Sequence, residues 1–299
     1  MIDGIINVYK ESGYTSFDVV AKLRGILKQK KIGHTGTLDP MAEGVLIVCL
    51  GKATKLVDML ITSTKEYKAC MKLGITTDTE DITGEILGKN DSWKNLDDAG
   101  IKACIMSFIG KYDQLPPMYS AIKKDGKKLY EYARAGIEIE REKRTVEILS
   151  IDDIRIDLPY VHFSVKCSKG TYIRSLCRDI GEKLGCGATL SALVRNELHG
   201  LYAKDAVRLS EIEALRDDDA LDRCIIPMDA LLKDYDSYDI KPQASKLLLN
   251  GNKLNSHSFL KDASCEDGSI IRVYDSGRLM ALYIYDAGED IFKPFKMFL

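Results

Sequence analysis

Asp39 stands alone as a carboxylate among small and polar neighbours in Lys31-Ile32-Gly33-His34-Thr35-Gly36-Thr37-Leu38-Asp39-Pro40. A carboxylate placed this way has the chemistry of a nucleophile or a general base, provided that something keeps it ionised and aimed. Pro40 disfavours the α region for the residue before it, so Asp39 is expected extended at a turn and outside any helix. Gly33 and Gly36 admit close backbone approach or a positive φ. The unbroken apolar run Val45-Leu46-Ile47-Val48-Cys49-Leu50, between Gly44 and Gly51, reads as a strand buried on both faces and ties the aspartate to a stiff core element. Taken alone, the same Asp-Pro turn equally describes an Asx turn that closes on its own backbone.

Other candidate chemistries are poorly matched. Thr76-Thr77-Asp78-Thr79-Glu80-Asp81 gathers three carboxylates but lacks the glycine and the distant glutamate of a calcium loop, so no metal is expected. Gly51-Lys52 hints at a phosphate loop, yet Leu46 stands where its first glycine belongs and Ala53 where Ser or Thr is required. The eight cysteines form neither a Cys-x-x-Cys pair nor a zinc spacing and are expected to be reduced, as in a cytoplasmic protein. Met1-Ile2-Asp3-Gly4 has no signal-peptide character, and no apolar run nears the ~20 residues of a membrane span, so neither secretion nor insertion is expected. A net charge of -2 over 299 residues leaves any nucleic-acid contact to local patches.

The elements that must hold Asp39 follow from residue patterns. Residues 4–9 read as a strand, and a helix starts at a Ser/Asp cap near Ser16 with Phe17, Val20, Ala21 and Leu23 on its inner face. Lys28, Lys30 and Lys31 then lead into the loop, either as a solvated basic helix end or as phosphate contacts. Ala53, Leu56, Val57 and Leu60 fall at helical spacing. Tyr67, Ala69, Met71 and Leu73 alternate with Glu66, Lys68 and Lys72 along a strand, and Tyr67 heads its inward face as a core aromatic or a site residue. Asp97 caps a helix carrying Ile101, Ile105, Phe108 and Ile109, and Pro116-Pro117 keeps residues 114–123 extended. Residues 123–144 carry eight basic and five acidic side chains around Tyr130 and Tyr132, either as a solvated helix and loop or as an RNA-contacting surface.

Further along, Val161, Phe163, Val165 and Cys167 alternate, which leaves His162 on the outer face. Ile173, Leu176, Cys177, Ile180 and Leu184 form one helical face, with Arg174 in the first turn, where a cation opposes the helix dipole unless an anion is near. An acidic stretch over residues 210–239 carries a domain boundary near 235. Beyond it lie a short helix at 241–250, with Leu247 and Leu248 inward, and a hairpin around Asp275-Ser276-Gly277-Arg278. The fold class is α+β: a large mixed, mostly antiparallel sheet flanked by helices over residues 1–235, and a small β-rich module over 236–299.

Four separated segments between residues 4 and 210 resemble the TruB family of tRNA pseudouridine synthases. Gly33-His34-Thr35-Gly36-Thr37-Leu38-Asp39-Pro40-Met41-Ala42-Glu43-Gly44-Val45-Leu46 resembles that family's catalytic motif, and Asp39 aligns with its essential aspartate. Lys10 to Ser16 resembles the opening Lys-Pro-x-Gly-x-Thr-Ser motif, with Glu11 in place of proline. Lys65-Glu66-Tyr67 resembles the strand whose tyrosine stacks on the target base, and the segment from Lys169 to Gly181 supplies Arg174 as the partner of the aspartate. Residues 123–145 resemble the family's mobile insertion that closes over RNA, while Leu193 to Gly200 keeps only Arg195 of an arginine-richer segment, which weakens RNA contact there and leaves the chemistry untouched.

The resemblance implies isomerisation of uridine 55 to pseudouridine in the TΨC loop of tRNA, through base flipping and without a cofactor. It implies Asp39 as the catalytic group, supported by Tyr67, Arg174 and His34. Lys10, Lys31, Lys123, Lys124, Lys127, Lys128, Arg134 and Arg144 are the expected RNA contacts. It also implies a pseudouridine synthase fold with a PUA-like RNA-binding module at the C-terminal end, acting on the tRNA T arm as a monomer with no obligate protein partner. Two alternatives stand beside it: an RNA-binding chaperone of tRNA folding, and a synthase for another RNA site.

Overall fold

The structure, a computed structural model, describes residues 1–61 and 63–299. The chain runs β1 (Gly4–Lys10), α1 (Ser16–Ile26), β2 (Ile32–Thr35), β3 (Glu43–Leu50), α2 (Val57–Leu60), β4 (Lys65–Leu73), β5 (Ile75–Thr77), β6 (Ile86–Lys89), α3 (Asp98–Met106) and β7 (Gly110–Gln114). A small hairpin of β8 (Lys123–Lys124) and β9 (Lys127–Lys128) leads into α4 (Leu129–Arg134). Then come β10 (Arg144–Asp157), β11 (Tyr160–Cys167), α5 (Ile173–Lys183), β12 (Ala188–Leu198), β13 (Leu201–Tyr202), α6 (Leu209–Asp217), β14 (Asp236–Asp239), α7 (Ser245–Leu249), β15 (Ile270–Asp275), β16 (Arg278–Asp286) and β17 (Ile291–Met297).

The large sheet has the order β1-β3-β12-β4-β11-β10-β7, with β2 beside β3 and β13 beside β12. Its pairings are antiparallel except β3 with β12, which is parallel. From Val45 to Leu50, β3 is fully buried, as its apolar run requires: one face packs on α1 and the other on Leu56, Leu60 and Leu198. The alternation along β4 holds, with Tyr67, Ala69, Met71 and Leu73 buried against Val161, Phe163, Leu176 and Ile180. A second sheet, β14-β15-β16-β17, forms the C-terminal unit. Leu279, Leu282 and Phe298 of that unit share a core cluster with Ile5, Val45 and Ile47, so the two sheets pack on a common apolar seam.

Three sequence expectations shift. Thr15 caps α1 in a capping box with Asp18, and the buried face is Ser16, Val19, Val20 and Leu23, which leaves Phe17 64% exposed. The two candidate faces have the same spacing one residue apart, and the face that places Val19 and Leu23 inward buries more apolar surface than one ending on Ala21 and Arg24. The segment after β3 winds first as a 3-10 turn over Gly51–Leu56, with only α2 in α form. In α7 Leu248 is buried, whereas Leu247 is exposed.

Candidate active site

One transverse row of the sheet builds the site. Strand register places Lys10 of β1 opposite Gly44 of β3, Gly44 opposite Arg195 of β12, Arg195 opposite Tyr67 of β4, and Tyr67 opposite Val165 of β11. Paired residues project to the same side, so two cations and the tyrosine line up across a glycine. A Cβ on Gly44 would lie 2.3 Å from the Arg195 carbonyl oxygen, and its φ of +99° is foreign to side-chain-bearing residues. The Asp39 loop crosses this gap, clamped from both sides. Lys10 Nζ donates to the carbonyls of Glu11 at 3.2 Å, Pro40 at 3.1 Å and Ala42 at 2.5 Å. Arg195 Nε donates to the Val45 carbonyl at 2.7 Å and Nη2 to the Gly36 carbonyl at 3.0 Å.

One expectation is corrected by this row, and one residue gains a place in it. Lys10 is not available to RNA, because it is fully buried and its donors are engaged on the loop. Burial also pulls its ammonium down to about 8, against the pull of the Asp39 and Glu43 carboxylates. Arg195, the one arginine kept in its segment, is turned inward: it is fully buried, holds the loop at Gly36 and interacts with the Tyr67 hydroxyl. Neither role was visible in residue type, since both depend on register between distant strands.

Asp39 meets its partner from the first turn of α5. Arg174 Nη2 donates to Asp39 Oδ1 at 3.0 Å, and Nε lies 2.8 Å from Oδ2, a two-point grip by a guanidinium that is almost wholly buried. The same side chain donates to the Tyr119 carbonyl at 2.9 Å and the Thr79 carbonyl at 2.8 Å, with Asp81 Oδ2 at 3.7 Å from Nη1. The anions that a cation in that turn demands are therefore present. Burial pushes the Asp39 carboxyl above its ordinary value, opposed by Arg174 and reinforced by Asp81, with Lys10 pulling it back down. Because Asp39 is only half-buried, its open side faces solvent while the other side is held by Arg174.

The three-carboxylate segment 76–81 acts as counter-charge and turn former. Asp81 Oδ1 accepts from the Thr83 N–H at 3.0 Å and from the Thr79 hydroxyl at 2.9 Å. Glu80 accepts from the Ser175 hydroxyl at 2.6 Å and pairs with Arg178, which also donates to the Leu115 carbonyl at 3.0 Å. Segments 79–81 and 115–119 are thus fastened to α5 next to Arg174. Sequence reading missed this network; its one signal was a second arginine four residues after Arg174, on the same helical flank.

Tyr67 is buried, and burial raises its hydroxyl so that it stays a neutral phenol. His34 of β2 is half-buried; burial and the Arg195 charge lower its imidazole, so it is neutral at pH 7, and its buried Nδ1 has no partner among the described residues. Lys31 is exposed beside α1. On the insertion, Lys123, Lys127, Arg134 and Arg144 are exposed, and Lys128 and Arg134 lie 5.3 Å and 5.4 Å from the Tyr130 ring centre. Lys124 is half-buried and donates to the Glu140 carbonyl at 2.6 Å, so part of its charge is committed to the insertion itself. Glu11, in place of the family's proline, pairs with Arg208 at 2.6 Å, and Arg208 in turn covers the Tyr9 ring. Among the described residues no helix is long and apolar enough to cross a membrane.

The model of the TruB family pseudouridylate synthase N-terminal domain matches residues 24–173, and that of the tRNA pseudouridylate synthase B C-terminal domain matches 174–233. This chain belongs to the TruB family of pseudouridylate synthases. Among its relatives, the tRNA pseudouridine synthase B of Lachnoclostridium phytofermentans is 48% identical over the whole of both chains, and that of Clostridium tetani is 46% identical over 94% of this chain and 95% of the relative. The structure is also similar to that of a chain from a Cbf5-Nop10-Gar1 complex, with a TM-score of 0.75 at 28% identity over 99% of this chain and 85% of that one. A chain from an H/ACA RNP bound to a substrate RNA containing 2'-deoxyuridine superposes with a TM-score of 0.74 at 26% identity, over 99% of this chain and 85% of that one. The TruB-family fold and pseudouridine synthase activity thus agree with a sheet that carries its aspartate on a clamped loop.

Proposed function

We propose that this TruB-family synthase converts uridine 55 in the T arm of tRNA to pseudouridine, with Asp39 as the catalytic residue. The observation that carries the reading is the two-point Arg174 grip on a half-open Asp39, set beside the Lys10, Arg195 and Tyr67 row. The bond between N1 and C1′ breaks, the uracil turns, and a bond between C5 and C1′ replaces it; the C5 hydrogen leaves as a proton and N1 takes one up. The reaction is an isomerisation and balances without a co-reactant. A uridine stacked in an RNA loop cannot offer both bonds to one carboxylate, so the base is flipped out at a cost of a few kcal/mol. Arg174 keeps Asp39 ionised and fixed in direction, ready as nucleophile or base. Tyr67 supplies the aromatic surface for the turning base, and His34 supports the flipped nucleotide or fills the space it leaves.

Lys31, Lys123, Lys127, Lys128, Arg134 and Arg144 meet RNA phosphates, and residues 236–299 act as a PUA-like RNA-binding module in a cytoplasmic monomer that needs no partner protein. The test is tritium release from C5-labelled uridine in an unmodified tRNA transcript. The native protein releases tritium without added cofactor; Asp39→Asn does not, and neither does a transcript whose T-loop target uridine is replaced. Binding without release by the native protein would favour the RNA-folding chaperone reading.

A further inference from the structure

Phe17 is an apolar side chain that the core does not take. It is 64% exposed, on a helix whose buried face is complete without it. With 3.6 residues per turn, Phe17, Ala21 and Arg24 share one flank of α1. That flank faces β2: Arg24 Nε donates to the carbonyl of Lys30, two residues before β2, at 3.1 Å. At the other end of α1, the Ser16 hydroxyl accepts from the Leu38 N–H at 2.9 Å and lies 3.3 Å from the Leu38 carbonyl oxygen. The Gly13 N–H donates to the Pro40 carbonyl at 2.9 Å. Phe17 therefore stands at the lip of the catalytic loop, one residue from the serine that fastens it. Along the same edge, Ala21, Arg24, Lys30, Lys31 and Thr37 are all exposed. The nearest helical acid, Asp18, lies on the other flank and is held by Thr15 at 2.8 Å.

We infer that this edge of α1 and β2 is a docking surface for the RNA strand next to the flipped uridine, with Phe17 as the platform on which one flanking base stacks. The inference rests on the RNA-isomerase reading above. An exposed aromatic followed by a row of cations is the arrangement that single-stranded nucleic acid fits: ring on base, and charge on phosphate. The row is continuous with the catalytic loop, so a strand whose uridine enters beside Asp39 lays its neighbouring nucleotides along it. Extrusion of one base breaks its stack with the next, and Phe17 offers that neighbour a replacement face.

Affinity for a T-arm transcript, measured in an Asp39→Asn background that prevents turnover, tests this. Phe17→Ala is expected to bind at least about fivefold more weakly, and Phe17→Tyr as the parent, with the melting temperature of both unchanged because the ring is exposed. Arg24→Ala is expected to lower the slope of log affinity against log salt by about one. Transcripts with one abasic position in turn locate the contact: at the stacked nucleotide, Phe17→Ala costs nothing further. Affinity of Phe17→Ala within twofold of the parent, an equal loss in Phe17→Tyr, or a lowered melting temperature that accounts for the loss would each overturn the inference. Tritium release by the native protein, run in parallel, separates the two failures. If the native protein is active and Phe17→Ala binds normally, only the docking surface falls. If the native protein is inactive and Phe17→Ala is still weakened, only the assigned reaction falls.

Discussion

Arg174 offers the sharpest test of how this site works, through the pair Arg174→Lys and Arg174→Gln. The guanidinium meets Asp39 at two points and the carbonyls of Tyr119 and Thr79 at two more, a set that its planar fork spans at once. A lysine ammonium keeps the charge but is a single point and cannot reach both carboxylate oxygens and both carbonyls. A charge-assisted hydrogen bond is worth about 1.5–3 kcal/mol, so losing the Nη2–Oδ1 bond and relaxing the aim of the carboxylate costs roughly 2–3 kcal/mol of transition-state stabilisation. That is about a 30- to 150-fold fall in kcat.

Charge separates the two variants. Burial already holds the Asp39 carboxyl above its ordinary value, with Arg174 the main opposing influence. Removing the cation raises it further, so the carboxylate protonates at a higher pH on acidification, and the acid limb of kcat/KM moves toward neutral in Arg174→Gln. In Arg174→Lys the limb stays near that of the native protein while kcat still falls. Single-turnover tritium release over a pH series, with tRNA affinity measured alongside, reads both effects, and affinity is expected to change little. A native kcat in Arg174→Lys, or an acid limb that does not move in Arg174→Gln, would refute the assignment of Arg174 as the group that both aims and ionises Asp39.

Tyr67→Phe keeps the ring and is expected to retain tRNA affinity but lose rate, because the Arg195 guanidinium loses the hydroxyl it faces; Tyr67→Ala should lose far more, and equal behaviour of the two in single-turnover assays would remove the ring from the mechanism. Replacing Lys123, Lys127 and Lys128 together by alanine is expected to weaken tRNA binding and to lower the salt slope by up to about 2.7, at about 0.9 per phosphate contact; an unchanged slope would take the insertion off the RNA. Gly44→Ala places a methyl 2.3 Å from the Arg195 carbonyl oxygen at a φ of +99° and is expected to cost about 3 kcal/mol or more, read as a lowered midpoint in urea unfolding. A midpoint within error of the native protein would mean that β3 and β12 are not held as closely as the register requires.

Several features could be read from the chain alone because they are properties of short stretches. The apolar run at Val45 to Leu50 has the length, glycine flanks and β-branched content of a doubly buried strand, and the alternation from Tyr67 to Leu73 fixes which side of β4 the tyrosine occupies. The isolated Asp39 and the cation in the first turn of α5 were each locally unfavourable or unexplained, and each finds its reason in the other across 135 residues. Where the local pattern was degenerate, reading failed. The two faces of α1, one residue apart, have the same helical spacing, and Leu247 and Leu248 are neighbours of equal apolarity. Only the shape of the surrounding core selects between such options.

The wording of the sequence determined the family, singled out Asp39, Tyr67 and Arg174 as site candidates, and set the periods of the strands and helices around them, since all of these lie within a few residues of chain. The tertiary structure alone decided that Lys10 and Arg195 are buried clamps on the Asp39 loop, that Asp81 and Glu80 serve as counter-charges, and that Phe17 stays outside. The physical reason is pairing register. A row running from Lys10 through Gly44 and Arg195 to Tyr67 exists only when four strands from distant parts of the chain are aligned, and that alignment minimises the free energy of the whole sheet and core.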